Sequence, residues 1–292
     1  MAAEYFPVTT ARPKQSSRKS PRLGRPLAYV ILTLGLVFTL LPFLMMILSS
    51  FKTNTEMLRV PPTFLPEHAS LENYTKIFND PKLPLLRFYG NSAFVAIFNS
   101  VSTLFTSALI GYMFAKFTFP GKRILFGWFL TMMMIPSQIT MIPSYLILSR
   151  LGLINSLWGL VIFSAVDAFG IFMLRQFCET LPSELLDAAR IDGASEWQIF
   201  GRIVIPQLSA PLATLGILNF MGNWNAYLWP MIVLQKIEVR TLPIILTWFN
   251  STHTGQAALV MAATVLIIMP ILFVFLFFQR WIVQGFTMTG FK

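Results

Sequence analysis

The side chains able to do chemistry are few, and none is grouped for catalysis. His68 and His253 lie far apart in stretches expected to be exterior loops, with no carboxylate or cysteine at ligand spacing, so no metal site is expected. Cys178 is the single cysteine; it cannot form an internal disulfide, and beside a helix end it reads as an inert packed thiol. The phosphate-cradling pattern G-x-x-x-x-G-K-[ST] is missing, because Gly121-Lys122 continues with Arg123 and no Gly-rich loop precedes it. Neither G-x-S-x-G nor H-E-x-x-H occurs. No catalytic set and no cofactor of the chain's own are therefore expected. What remains is amide and aromatic chemistry: Asn219, Asn223, Trp224, Asn225 and Tyr227 fall within nine residues. Such groups suit a ligand that offers hydroxyls and CH faces, as the lining of a route; they equally suit helix–helix packing, where Asn bonds across helices. Asp167 is the one acid deep in an apolar run. It either faces a water-filled route or is paired or protonated by desolvation. Ser137 and Gln138 follow Pro136, where a kink would expose carbonyls, so they line a route or satisfy the kink.

The elements that must position these groups are membrane helices. Hydrophobic residues make up 55% of the 292 and charged residues only 12%, about half the charged share of a soluble domain. Six apolar stretches follow one another, at about 27–50, 92–115, 124–149, 157–174, 208–234 and 257–278. At 1.5 Å per residue, about 20 residues cross a hydrocarbon core of about 30 Å. The expected fold is an all-α membrane domain over residues 27–283. It is preceded by a disordered basic tail, 1–26, and followed by a short tail, 284–292. With the N-terminus inside, Lys and Arg divide fourteen to eight in favour of the inner segments, which predicts N-in/C-in and an even number of spans. The net charge of +10 belongs to this topology; basic residues sit at span ends without aromatic interleaving, so nucleic acid is not an expected partner. Within the long outer loop, Phe51–Asn91, the run Ser70-Leu71-Glu72-Asn73-Tyr74 reads as the start of a short helix.

One segment is unlike a connector. Glu179–Pro206 carries five acids (Glu179, Glu184, Asp187, Asp192 and Glu196) against two arginines. It reads as two short helices with a tight corner. Ser183 caps the first, Gly193 makes the corner, Ser195 and Gln198 form a capping box, and Pro206 closes the element. An anionic amphipathic helix is repelled by the anionic inner leaflet, so a protein cleft is the better partner for it.

The stretch Asp187-Ala188-Ala189-Arg190-Ile191-Asp192-Gly193-Ala194, followed by Phe200, Ile203 and Ile205-Pro206, resembles the EAA loop of permease subunits of bacterial ABC importers, nearest the maltose-permease-like carbohydrate type. Ser50-Phe51-Lys52-Thr53, Phe119-Pro120-Gly121-Lys122, Leu151-Gly152-Leu153-Ile154-Asn155 and Gly285-Phe286-Thr287 extend the resemblance along the chain. It implies a multi-pass protein of the bacterial inner membrane that forms half of a sugar or oligosaccharide pathway. It further implies a second permease, a cytoplasmic ATPase dimer holding ATP and Mg, and an extracytoplasmic solute-binding protein. The loop between spans four and five would be the coupling element. The motif's usual leading Glu is Asp187 here, a carboxylate one methylene shorter. A stand-alone secondary transporter or channel is the rival reading; it would need more intramembrane ionisable groups than one Asp.

Overall fold

The computed structural model describes residues 24–81, 83–252 and 255–288, and among these it is all helix with no strand. His253, residues 1–23 of the basic tail and residues 289–292 of the terminal tail lie outside the described residues. The chain divides into two compact units, 1–45 and 46–292. Helix α1, Gly24–Ser50, starts three residues before the expected span start at position 27, and from Leu27 through Leu41 its large apolar side chains are exposed. Three helices are long and apolar enough to cross a membrane: Pro26–Ser50, Leu85–Lys116 and Ala257–Phe277. Three bent pairs raise the number to six if each is one span.

The bends correct several expected spans. Helix α4, Leu85–Lys116, begins seven residues earlier than position 92, because Pro84 opens it and Leu85 and Phe88 are buried. The third stretch is not one straight helix: α5, Lys122–Met134, and α6, Ser137–Arg150, meet at 104°. Pro136 forces the break, since it lacks an N–H and holds Ile135 in extended conformation (φ −82°, ψ 118°). The fourth stretch is α7, Leu157–Ser164, and α8, Ala168–Glu179, bent by 43° and running past position 174. The third bent pair joins the helical run Glu196–Gln207 to α12, Ser209–Trp224, at 79°. The fifth stretch is itself divided: α12 stops before α13, Leu228–Val233, where Pro230 cannot donate to the carbonyl of residue 226. Helix α15, Ala257–Met288, runs well beyond 278 and carries Pro270 inside it, and takes up residues 284–288 of the expected tail.

Helix α4 is the hub of the second unit, packing on α7, α8 and α12, while α12 also packs on α15. The α4–α8 contact rests on small residues. A Cβ on Gly111 would come within 2.9 Å of the Arg175 nitrogen, and one on Gly170 would collide with Ser107 Oγ. Without a hydrophobic effect between helices in lipid, this close approach is how dispersion holds them. At one end, α2, Asn54–Met57, and α3, Glu72–Asn79, pack on α15 as a cap, with α14, Ile245–Thr252, nearby on the same helix. The cap is held by buried polar groups. Asn73 Nδ2 donates to the carbonyls of Ser50 and Lys52 (both 2.9 Å), and Lys52 Nζ donates to Thr63. Glu56 accepts from the Thr63 hydroxyl (2.9 Å) and the Glu67 N–H (3.0 Å). Burial works to raise the Glu56 pKa, but these bonds and the Lys52 charge outweigh it and leave it lowered.

Candidate functional site

At the other end of α4 the chain forms a rigid elbow. Helix α9, Ser183–Ile191, is followed by α10, Glu196–Ile199, a π-helical turn Phe200–Val204, and α11, Ile205–Gln207. The corner is a complete Schellman motif. Gly193 has φ +84°, its N–H donates to the Arg190 carbonyl, and the Ala194 N–H donates to the Ala189 carbonyl, both at 3.0 Å. Ser195 then starts α10 in a reciprocal capping box with Gln198. One expectation needs correction. Pro182, not Ser183, occupies the cap position of α9; the Ser183 hydroxyl lies 3.4 Å from Lys116 Nζ instead. The element ends at Gln207, one residue after Pro206, and the chain bends there by 79° into α12. In the preceding π turn the Ile205 N–H reaches back to the Phe200 carbonyl.

Arg190 staples the corner. Its guanidinium bonds Asp187 Oδ1 on its own helix and Glu196 Oε1 on the next, each at 2.7 Å, and the Glu196 contact foremost raises its pKa above the ordinary value. Glu196 also accepts from the Tyr112 hydroxyl of α4 (3.3 Å), and Lys116 Nζ donates to the Leu181 carbonyl (2.5 Å). Beneath the corner, Leu186, Ile199, Phe200 and Val204 are buried against Ala108 and Tyr112 of α4 and Leu174 and Cys178 of α8. The elbow is thus joined to the hub helix by a core and by hydrogen bonds. Its outer face is apolar and open: Ile191 is 86% and Trp197 65% exposed, with Ala188 beside them.

The second feature is a polar seam between α4 and α12. Asn99 Nδ2 donates to Asn223 Oδ1 (2.7 Å), Asn223 Nδ2 donates to the Asn219 carbonyl and side chain (2.9 and 2.8 Å), and Ser100 reaches Asn219 (3.3 Å). Asn99 Oδ1 is buried and has no hydrogen-bond partner among the described residues. Farther along α4, Thr103 and Thr106 donate to the Ser164 and Ala165 carbonyls left open at the α7–α8 bend (3.0 and 2.5 Å).

A model of the "Binding-protein-dependent transport system inner membrane component" family matches residues 107–288, more than half of the chain. The chain belongs to this family. This makes it an inner-membrane component of a binding-protein-dependent transport system. It is 34% identical to an arabinooligosaccharide transport system permease of Halalkalibacterium halodurans, over 93% of this chain and 99% of that one. It is 33% identical to a lactose transport system permease of Rhizobium radiobacter, over 90% and 95%. The fold superposes on a chain of the crystal structure of a bacterial ABC transporter that imports the acidic polysaccharide alginate, with a TM-score of 0.78 and 25% identity, over 90% of this chain and 97% of that one.

Within the permease, the residues singled out from sequence separate into distinct environments. Asp187, Ala188, Ala189, Asp192, Gly193 and Ala194 form α9 and its corner; Phe200 lies under it and Pro206 beyond it. Asn219 and Asn223 are half-buried in the seam, and Trp224 is buried, its Nε1 donating to the Ile267 carbonyl of α15 (3.3 Å). Asn225 and Tyr227 are exposed at the break between α12 and α13; Tyr227 shares a hydrogen bond with Thr247 (2.7 Å). Gln138 is exposed at the start of α6. Asp167 caps α8 by accepting from the Gly170 N–H (2.8 Å), so its carboxylate has a structural task at the bend. Asn99, Ser100, Thr103, Thr106 and Tyr112 were not singled out from sequence. The three- and four-residue spacing of Asn99, Thr103, Thr106 and Ser107 along an apolar helix was the available signal.

Proposed function

We propose that this chain is the permease subunit of an ATP-binding-cassette importer for a sugar or oligosaccharide. It contributes six spans, N-in and C-in, to a pathway completed by a second permease. A cytoplasmic ATPase dimer, holding ATP and Mg, supplies the energy, and an extracytoplasmic solute-binding protein delivers the substrate. The carbohydrate assignment is supported by relatives named for arabinooligosaccharides and lactose. The coupling assignment is carried by one observation: a capped elbow with an open apolar face, joined to the hub helix through Arg190, Glu196 and Tyr112. Such an elbow transmits displacement because it has few internal degrees of freedom. When the ATPase halves close, a docked elbow carries α4 and α8 with it, and alternating access follows as a rigid-body rotation.

In this mechanism Ile191, Ala188 and Trp197 fill a cleft on the ATPase, while Asp187 and Asp192 are placed to meet its rim. Of the pathway candidates, the Asn219–Tyr227 segment, Gln138 and Asp167, the exposed Asn225, Tyr227 and Gln138 are the ones we favour, since Asn219 and Asn223 are bonded in the seam, Trp224 is buried and Asp167 caps α8; Asn225 and Tyr227, at an interrupted helix, offer both open backbone groups and polar side chains. The test is co-expression with the cognate ATPase and second permease, and reconstitution into liposomes with the solute-binding protein. A stoichiometric complex with ATP-dependent, binding-protein-dependent sugar uptake is expected. Uptake by the purified chain alone, driven by an ion gradient, would refute the assignment.

A further inference from the structure

We propose that the elbow end of the permease carries a site for the phosphate of an anionic glycerophospholipid. A cavity of about 620 Å³ lies where α4 passes into α5, walled by Phe119, Gly121, Ile124 and Phe126 and by three cations, Lys122, Arg123 and Arg175. The cations are not equally committed. Arg175 stacks over the Phe126 ring at 3.9 Å and is paired with Glu179 (2.5 Å). Lys122 Nζ spends one donor on the Phe117 carbonyl (2.8 Å), and among the described residues no carboxylate pairs with it. Arg123 is exposed and makes no ion pair among the described residues. One carboxylate against three cations leaves the cavity with two uncompensated positive charges. Gly121, with φ +77° and nothing within 4 Å of where a Cβ would stand, keeps the floor open.

What lies beside the cavity selects a lipid over a free anion. The turn that follows presents Ile124 (69% exposed), Leu125 and Trp128 (63%) on the outside of α5, half of a bent pair apolar enough to span. Cations followed within one turn by exposed aliphatic groups and a Trp reproduce the order of a bilayer interface: headgroup, then acyl chains. A free phosphate would use the charges and leave that flank without a role. The Lys116 bond to the Leu181 carbonyl, just ahead of α9, puts the site at the elbow's end of the bundle.

Native mass spectrometry of the detergent-purified whole transporter tests this, with added phosphatidylglycerol or phosphatidylcholine. Phosphatidylglycerol is expected to remain bound, and Lys122→Gln with Arg123→Gln to reduce the bound fraction about thirtyfold, two interfacial charges being removed. Arg123→Gln alone changes a solvent-exposed group and is expected to lose about fivefold, which keeps the test open should the double variant assemble poorly. Arg59→Gln, at the cap end, is expected to change nothing. Equal retention of phosphatidylcholine, or unchanged retention in both variants, overturns the proposal. Displacement of the lipid by inorganic phosphate also overturns it, in favour of a small-anion pocket.

Discussion

Gly193 offers the sharpest test of the elbow, because its surroundings isolate one physical effect. Its φ of +84° lies in the left-handed region, and a Cβ built there meets nothing within 4 Å. A substitution therefore adds backbone strain without a clash. For an L-residue that strain is about 1–2 kcal/mol; Asn escapes part of it, and a β-branched residue bears the most. The two bonds of the Schellman motif, from the Gly193 and Ala194 N–H groups, must form for α10 to leave at its angle. A cost of 1–2 kcal/mol reduces the population of correctly angled elbows about five- to thirtyfold relative to its alternatives. Gly193→Ala is thus expected to lower ATP-dependent uptake in proteoliposomes severalfold, Gly193→Val further, and Gly193→Asn least. ATPase co-purification should weaken in the same order, while the thermal stability of the permease itself changes little. Equal damage from Asn and Val, or normal uptake by Gly193→Val, would show that the corner's conformation is not what transmits motion.

Gly111→Ala is expected to destabilise the permease by about 1–3 kcal/mol, because the new Cβ meets the Arg175 backbone at 2.9 Å; Gly127→Ala, with nothing within 4 Å, should be neutral. Thermal unfolding in detergent separates the two, and equal midpoints would contradict the close α4–α8 contact. Asn223→Ala should cost about 0.6 kcal/mol of stability by opening the seam and leave sugar selectivity intact, whereas Asn225→Ala and Tyr227→Ala should change the half-saturation of uptake with little effect on stability. Selectivity altered by Asn223→Ala and not by the other two would reverse that division. The lowered Glu56 pKa makes the cap acid-sensitive. A carboxyl whose folded pKa is depressed stabilises above its unfolded value, about 4.3, and loses that contribution as pH falls through the folded value. Proteolysis of the 51–91 segment should therefore accelerate below about pH 4, and Glu56→Gln should remove that step while loosening the cap at neutral pH. A pH profile identical in both would exclude Glu56 as the titrating group.

The elbow could be read in the sequence because its determinants are local. A Gly in the left-handed region, a Ser-x-x-Gln box and acids in a first helical turn act over a few residues, and the corner forms as those residues require. Ser183 shows the limit of that locality. A serine after a proline resembles a cap, yet Pro182 takes the cap position and leaves Ser183 to face Lys116 of a distant helix. The spans were visible as apolar runs, but hydropathy is blind to direction: the 104° turn at Pro136 and the break at Asn225–Tyr227 leave the apolar run unbroken. Nor did residue type alone separate packing from pathway. Asn219, Asn223 and Asn225 are chemically identical, and only the position of Asn99, more than a hundred residues away, assigns the first two to a helix seam.

That seam and the elbow meet on one element. Along α4, Asn99 and Ser100 hold α12, Thr103 and Thr106 hold the carbonyls of the α7–α8 bend, Gly111 admits the α8 backbone, and Tyr112 and Lys116 hold the elbow. In the proposed mechanism, a displacement applied at Ile191 and Trp197 would reach the break at Asn225 through a helix bonded at each stage. The links are unequal in strength. The Arg190–Glu196 pair is partly exposed, so its loss alone costs about 1 kcal/mol or less. The buried core of Leu186, Ile199, Phe200 and Val204 is the stiffer connection. If coupling runs through that core, Phe200→Ala should uncouple ATP hydrolysis from uptake more completely than Arg190→Ala, even though Arg190 makes the more visible contacts. Reconstituted transporters in which Arg190→Ala uncouples and Phe200→Ala does not would place the transmission in the ion pairs instead.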